Sequence, residues 1–374
     1  MREILNELEA WLAAGRRIAV ATLVEVFKSA PRQPGAVMAV NDRGEVLGSV
    51  SGGCVEAALY DEAVAILGGC QEGGQPRLLT FGISDEDAMA VGLTCGGTIR
   101  VFLERADWAP DLLPRLARAI RAEEPAALVT VTAGPGLGSK LLVTATEVYG
   151  TTGTPALDER LTVEARGMLQ MGQTGVRQFG AAGESRGVAV TAFIESFAPP
   201  PRMFVFGAID YAGAVVRIGK FLGYRVILCD ARPVFATRAR FPEADEIVVR
   251  WPHEYLQEAQ VGPRDVICVL THDSKFDVPV LLAALKTPAA YIGAMGSRNT
   301  HERRYRELLA AGATPEELER IASPIGLDIG GRTPEETAIS IAAEIIALRY
   351  GRPGGRLKDR SGPIHVETAA DARR

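Results

Sequence analysis

The chain has 374 residues, 47% hydrophobic and 23% charged, which at about 150 residues per domain implies two or three globular domains and excludes a disordered or low-complexity scaffold. Forty-one basic against 46 acidic side chains leave a formal charge of −5. That balance argues against nucleic acid as a partner, since duplex binding relies on counterion release, but leaves room for a local phosphate pocket.

In chain order, the opening MREILNELEAWL predicts a helix with Ile4, Leu5, Leu8, Trp11 and Leu12 on one face. It is acidic and amphipathic, so no signal peptide is expected and the location expected is cytoplasmic. The strand RRIAVATLVEVF follows, and because Glu25 and Lys28 soon close its apolar run, no membrane span is expected. After a PRQPG loop come two short strands ending at Val50, a helix over 55–67 and the strand TIRVFLE. The strands ALVTVTA, KLLVTATEV and GVAVTAFIESF then alternate with helices over 111–122 and 157–171.

Three consecutive prolines at 199–201 mark a boundary, because they remove backbone donors and stiffen the chain. The expected organisation is an N-terminal domain over 1–197, a linker over 198–202, a second domain over 203–351 and a flexible tail over 352–374. Downstream the order is regular: strand MFVFGA, helix DYAGAVVRIGKFLG, strand RVILCD, a short helix over 235–241, strand EIVVR, then DVICVLT, VPVLLAAL, AAYIGAMG and a final helix over 334–350. Strands alternating with helical patterns predict a Rossmann-like, doubly wound parallel sheet, making the whole an α/β protein of two domains. Thr314 to Glu317 and Thr333 to Glu336 both read as capping boxes.

Five cysteines, odd in number and widely spaced, predict reduced thiols, and no CxxC or paired histidine spacing suggests a metal site. Two of them, Cys54 and Cys95, sit beside paired glycines at the start of an element, whereas Cys70, also preceded by two glycines, lies in a loop after a helix. In Ser49-Val50-Ser51-Gly52-Gly53-Cys54-Val55-Glu56 a strand end, a glycine turn and a helix start succeed one another, so consecutive N–H groups would nest an anion and favour the Cys54 thiolate. Cys95-Gly96-Gly97 before TIRVFLE is the second such place. Arg32, held by Pro31, Pro34 and Gly35, suits bidentate phosphate recognition. In the second half the nucleotide fingerprint is Gly207-Ala208-Ile209-Asp210-Tyr211-Ala212; Ile209 replaces the glycine that lets a pyrophosphate approach, which counts against NAD(P) although Asp230 ends the next strand. Asp230, Arg232, His272 and Arg298 fall at strand ends where such sheets bind ligands, although His272 reads equally well as a loop cap, and Arg298 with Arg303, Arg304 and Arg306 as the solvated face of the next helix.

Taken together, SAPRQPGAVMAV, GSVSGGCVE, FGISDEDAMAVGLTCGGTIRVFLE, CDARPVFATRARFPEAD, LTHDSKFDVPVLLAAL, YIGAMGSR and PIGLDIGGRTPEETAISIAAEII resemble the XdhC/CoxI family over about residues 16–350. The family's proteins are accessories of molybdenum hydroxylases. The resemblance implies a maturation factor that binds molybdopterin-type cofactor transiently, assists its sulfuration with a cysteine desulfurase, and delivers it to a xanthine or carbon monoxide dehydrogenase-like apoenzyme. The family's usual second-domain form is closer to GAGHVA than to the GAIDYA found here. On this resemblance Cys54 and Cys95 would face the dithiolene or molybdenum, or pass on sulfur. Arg32, Ser51, Gly52, Gly53, Glu56, Gly96 and Gly97 would hold the cofactor, with Gly207, Asp230, Arg232, His272 and Arg298 as a second set. A homodimer is expected. The competing expectations are an NAD(P)-dependent oxidoreductase working from the Rossmann half, and a non-catalytic module bridging a desulfurase and its target.

Overall fold

The near-continuous apolar run of the first long strand, β1 (Ile18–Phe27), makes it the centre of a sheet, because both of its edges and both of its faces can be covered. In the computed structural model, which describes all residues except 28–29, 69–73, 83–96, 186 and 362–374, β1 pairs antiparallel with β2 (Val37–Asn41) and later with β5 (Thr98–Arg105). With β3 (Val46–Gly48) and β4 (Arg77–Phe81) the order is β3-β2-β1-β5-β4. The helix Glu56–Gly68 lies between β3 and β4 in the chain and buries Leu59, Ala63, Ile66 and Leu67 against the sheet.

The same plan recurs. β6 (Ala126–Ala133), β7 (Lys140–Thr144), β8 (Val148–Gly150), β9 (Gly175–Phe179) and β10 (Val190–Phe197) form a second five-stranded sheet of order β8-β7-β6-β10-β9, with the helix Pro155–Met171 between β8 and β9. Gly48 and Gly150 close β3 and β8 at φ +69° and +90°, and in each a Cβ would strike the carbonyl of the facing strand's first residue, Val37 or Lys140. The N-terminal unit is therefore two copies of one βββαββ arrangement. The segment KLLVTATEV, expected as one strand, is split into β7 and β8 to match. Helices Leu5–Ala13 and Ala109–Arg121 pack at one seam of the two sheets with Leu128, Leu142 and Phe197. At the sheet-to-sheet contact, Val24, Phe102 and Phe193 cluster beside an ion pair of Lys140 with Glu104, 2.7 Å apart and each about 4% exposed.

The chain divides into this unit, residues 1–199, and a second over 200–361. In the second, six parallel strands, β11 (Arg202–Phe206), β12 (Arg225–Cys229), β13 (Glu246–Val248), β14 (Val266–Val269), β15 (Tyr291–Ala294) and β16 (Ile321–Ala322), take the order β13-β12-β11-β14-β15-β16. That is the doubly wound Rossmann order, and it reverses between β11 and β14, where such folds bind ligands. Successive strand residues serve opposite faces: Met203, Val205, Val226 and Leu228 pack under helices Asp210–Phe221 and Pro334–Arg349. Phe204, Phe206, Ile227 and Val269 pack under helices Ser274–Leu285 and Arg298–Ala310. Both threonine capping boxes form, at Thr314 with Glu317 and at Thr333 with Glu336.

Residues 235–241, expected as a helix, are instead a run of turns. Arg240 donates to the carbonyls of Ala208 and Phe235, and Arg238 to that of Ala244, so side chains take the place of helical partners. The linker expected over 198–202 ends one residue early, since Arg202 already opens β11 and donates its N–H to Asp265 at 2.8 Å. Within the tail expected over 352–374, Leu357–Asp359 forms a short turn of helix, and 362–374 lies outside the described residues. Among the described residues no helix is long and apolar enough to cross a membrane.

Candidate functional site

The turn after β3 is densely hydrogen-bonded, and its acceptor comes from the chain itself. The Glu56 carboxylate, on the first residue of its helix, accepts six hydrogen bonds. Oε1 takes Ser49 Oγ–H (2.5 Å), Val50 N–H (3.1 Å) and Ser51 N–H (2.8 Å). Oε2 takes Ser51 Oγ–H (2.6 Å), Gly53 N–H (2.9 Å) and Val55 N–H (3.1 Å). Gly52 N–H goes to Ser49 Oγ, while Cys54 and Val55 donate to Ser51 Oγ. Gly52 and Gly53 close the loop at φ +80° and +121°.

The N–H groups of the turn converge on an anion, and that anion is Glu56. Every N–H from Val50 to Val55 already has an acceptor within the turn, so the nest does not fit the cofactor phosphate expected there. Burial would raise the Glu56 carboxyl, but the hydroxyls of Ser49 and Ser51 and the Ser51 N–H outweigh it, and its pKa falls from the usual 4.5 to about 2. The second copy carries the same device without a cysteine. After β8, Asp158 accepts from Thr151 Oγ1 (2.6 Å), Thr152 Oγ1 (2.5 Å) and Thr152 N–H (2.8 Å). The carboxylate lock therefore belongs to the βββαββ scaffold, and Cys54, half-buried on the locked turn, is what the first copy adds.

Arg32 does not stand over this turn. Its guanidinium is 2.5 Å from Glu3 Oε2, and Arg32 holds the Glu3 carboxyl below its usual range. The loop's Pro31 approaches the turn, 3.8 Å from where a Cβ on Gly52 would sit. Gly97 is buried just before β5; Cys95 and Gly96 lie outside the described residues.

In the second unit, Gly207 at φ +109° follows β11, and a Cβ there would come within 2.7 Å of the Thr271 methyl after β14, so the loop needs its glycine for close strand-to-strand approach. Ile209 begins the next helix with its side chain against the core. Asp230 is 2% exposed: it accepts Ala208 N–H at 2.8 Å and is gripped by Arg232 Nε (2.9 Å) and Nη2 (2.7 Å). Burial works against its ionisation, but Arg232 and the Ala208 N–H prevail and lower its pKa. The carboxylate that would face a ribose in a dinucleotide site is turned to its own loop. His272 and Arg298 are exposed.

What the sequence left unseen is Arg304. It is 3% exposed, bonds Asp277 Oδ2 at 2.6 Å and the Met295 carbonyl at 2.8 Å, and Asp277 also accepts from Thr271. Burial pushes the Asp277 carboxyl up against the pull of Thr271 and Arg304. Nothing in the run RNTHERRYRELL distinguishes the buried arginine from its solvated neighbours; its partner is 27 residues away. Cys229 and Cys268 lie in β12 and β14, and burial pushes both thiols up to about 12, aided by Asp230 and Glu344 respectively. They are inert positions.

The sequence and fold both have known relatives. A family model described as the XdhC and CoxI family matches residues 11–82 and 119–180, which fall in the two copies of the N-terminal unit, and one described as the XdhC Rossmann domain matches 203–345. A Bacillus subtilis protein named as a probable xanthine dehydrogenase subunit is 29% identical over 91% of this chain and 96% of its own length. The Escherichia coli molybdenum cofactor insertion chaperone PaoD is 27% identical over 93% of this chain and 88% of its own. A crystal structure from Bacillus halodurans, described as a xanthine dehydrogenase, superposes with a TM-score of 0.63 at 27% identity, covering 93% of this chain and 96% of that one.

Proposed function

Because the chain belongs to the XdhC and CoxI family, we propose that it holds a molybdenum cofactor as cargo and delivers it to a molybdenum hydroxylase apoenzyme of the xanthine or carbon monoxide dehydrogenase type. The single observation that carries this is Cys54. It is a half-buried thiol on a turn fixed by an internal carboxylate, in a chain that aligns over nearly its full length with a molybdenum cofactor insertion chaperone.

A preorganised turn matters because a soft thiolate binds molybdenum, or exchanges with its sulfur ligands, better when little reorganisation is needed to present it. Glu56 supplies that rigidity. Cys54 supplies the ligand, and Cys95 shares the role on sequence grounds. Sulfuration of the cargo by a cysteine desulfurase, and action as a cytoplasmic homodimer, complete the proposal.

The test is delivery. Apo-hydroxylase incubated with cofactor-loaded protein should gain activity faster and to a higher yield than with the same amount of free cofactor. The Cys54→Ser variant should lose at least about tenfold of that advantage, which corresponds to about 1.4 kcal/mol of discrimination. Equal activation by free cofactor, loaded wild type and loaded Cys54→Ser would refute the proposal.

A further inference from the structure

The N-terminal unit has a cavity of about 460 Å³ at the seam between its two sheets, within the range of small-molecule sites. Its walls pair apolar surface from Pro31, Pro34 and Phe197 with polar groups from Arg2, Arg32 and Thr174. Arg2 is held in place by the Ala198 carbonyl at 2.7 Å, with its guanidinium 6.0 Å from the Phe197 ring centroid.

From this geometry we propose that the phosphate-bearing end of the pterin cargo seats in this cavity on Arg32, with Arg2 as the second cation, rather than in the Cys54 turn. The inference rests on the carrier function proposed above and locates the anion that the turn has no donors left to bind.

Three observations support it. First, Arg32 is held by Glu3 in a pair that is 33% and 69% exposed. An exposed pair contributes about 0–1 kcal/mol, whereas a phosphate offers a guanidinium more charge and bidentate geometry. Glu3 is a stand-in that a phosphate displaces at little cost. Second, the remaining carboxylate of the cavity, Glu195, is 7% exposed and 3.3 Å from the Met1 ammonium, whose positive charge offsets its repulsion of an anion. Third, the loop that carries Arg32 reaches the Cys54 turn through Pro31 at Gly52. A ligand anchored on Arg32 is thus led toward Cys54 by a segment stiffened with two prolines.

The experiment uses the full chain, freed of pterin and titrated with molybdopterin released from a molybdenum hydroxylase, with pterin retained after gel filtration as the readout. Arg32→Gln should retain at least about tenfold less than wild type, as expected for losing one charge-assisted phosphate contact. Glu3→Gln should retain as much or more, because it removes the competitor. Inorganic phosphate should compete against wild type and have little effect on Arg32→Gln. Both variants alter an exposed pair and should keep the wild-type melting temperature. Wild-type retention by Arg32→Gln, or equal loss in both variants, overturns this seat while leaving the carrier function intact. Absence of pterin from wild type overturns both.

Discussion

Arg304→Met is expected to lower the stability of the Rossmann unit by about 3–5 kcal/mol, the cost of leaving a buried carboxylate without its partner. The pair it breaks is nearly dry, with side chains 3% and 2% exposed. Arg304 also satisfies the Met295 carbonyl after β15, and Asp277 satisfies Thr271 after β14. One substitution therefore leaves both Asp277 Oδ2 and the Met295 carbonyl without their donor, and removes the anchor of the carboxylate that holds Thr271. Because the chain has two units, a global melting curve would blur the effect. Native-state hydrogen exchange is the sharper probe: amides of β14 and β15 should lose at least about a hundredfold of protection, while β1 and β6 keep theirs. Asp277→Asn should do similar damage. Replacing both by apolar residues should recover much of the loss, since buried pairs contribute little net stability over a well-packed apolar substitute.

Glu56→Ala should cost about 2–4 kcal/mol in the N-terminal unit and strongly reduce cofactor retention, because it strips the acceptor from three loop N–H groups besides the Val55 N–H at the helix start and two hydroxyls. Glu56→Gln separates charge from shape. The folded pKa of about 2 lies below the usual 4.5, so ionised Glu56 contributes stability that is present above pH 4.5 and lost as pH falls toward 2. Allowing for solvent screening at a partly exposed carboxylate, this amounts to about 1–2 kcal/mol. Denaturant midpoints measured from pH 6 to pH 3 should therefore fall more steeply for wild type than for Glu56→Gln. Parallel curves would show that the lock is not ionic.

The parts of this architecture visible in the sequence are those set by local chemistry. Runs rich in apolar and β-branched residues marked β1, β5, β6, β10 and the Rossmann strands, because most of their positions are buried on both faces. Threonine, proline and glutamate at fixed spacing marked two helix starts, and the Ser49–Glu56 pattern marked a turn rich in N–H groups. The rest is long-range. The duplicated plan of the N-terminal unit was hidden because the copies share strand order and the glycines at 48 and 150 rather than residue identities. β4 and β9 were missed because they are short and half-buried, with little alternation to mark them. Arg32 pairs with Glu3, 29 positions away, which no spacing rule reaches. Residues 235–241 misled because their apolar spacing is helical, while they fold as turns, with Arg240 donating to the Phe235 carbonyl.

Pterin content decides whether the protein carries the cofactor. The protein should be purified from a host replete in molybdenum cofactor, oxidised, and its released fluorescent pterin quantified per chain beside bound molybdenum. The carrier account predicts near-stoichiometric pterin for wild type and strongly reduced pterin for Glu56→Ala. Pterin-free protein, both as purified and after reconstitution with free cofactor, would contradict it.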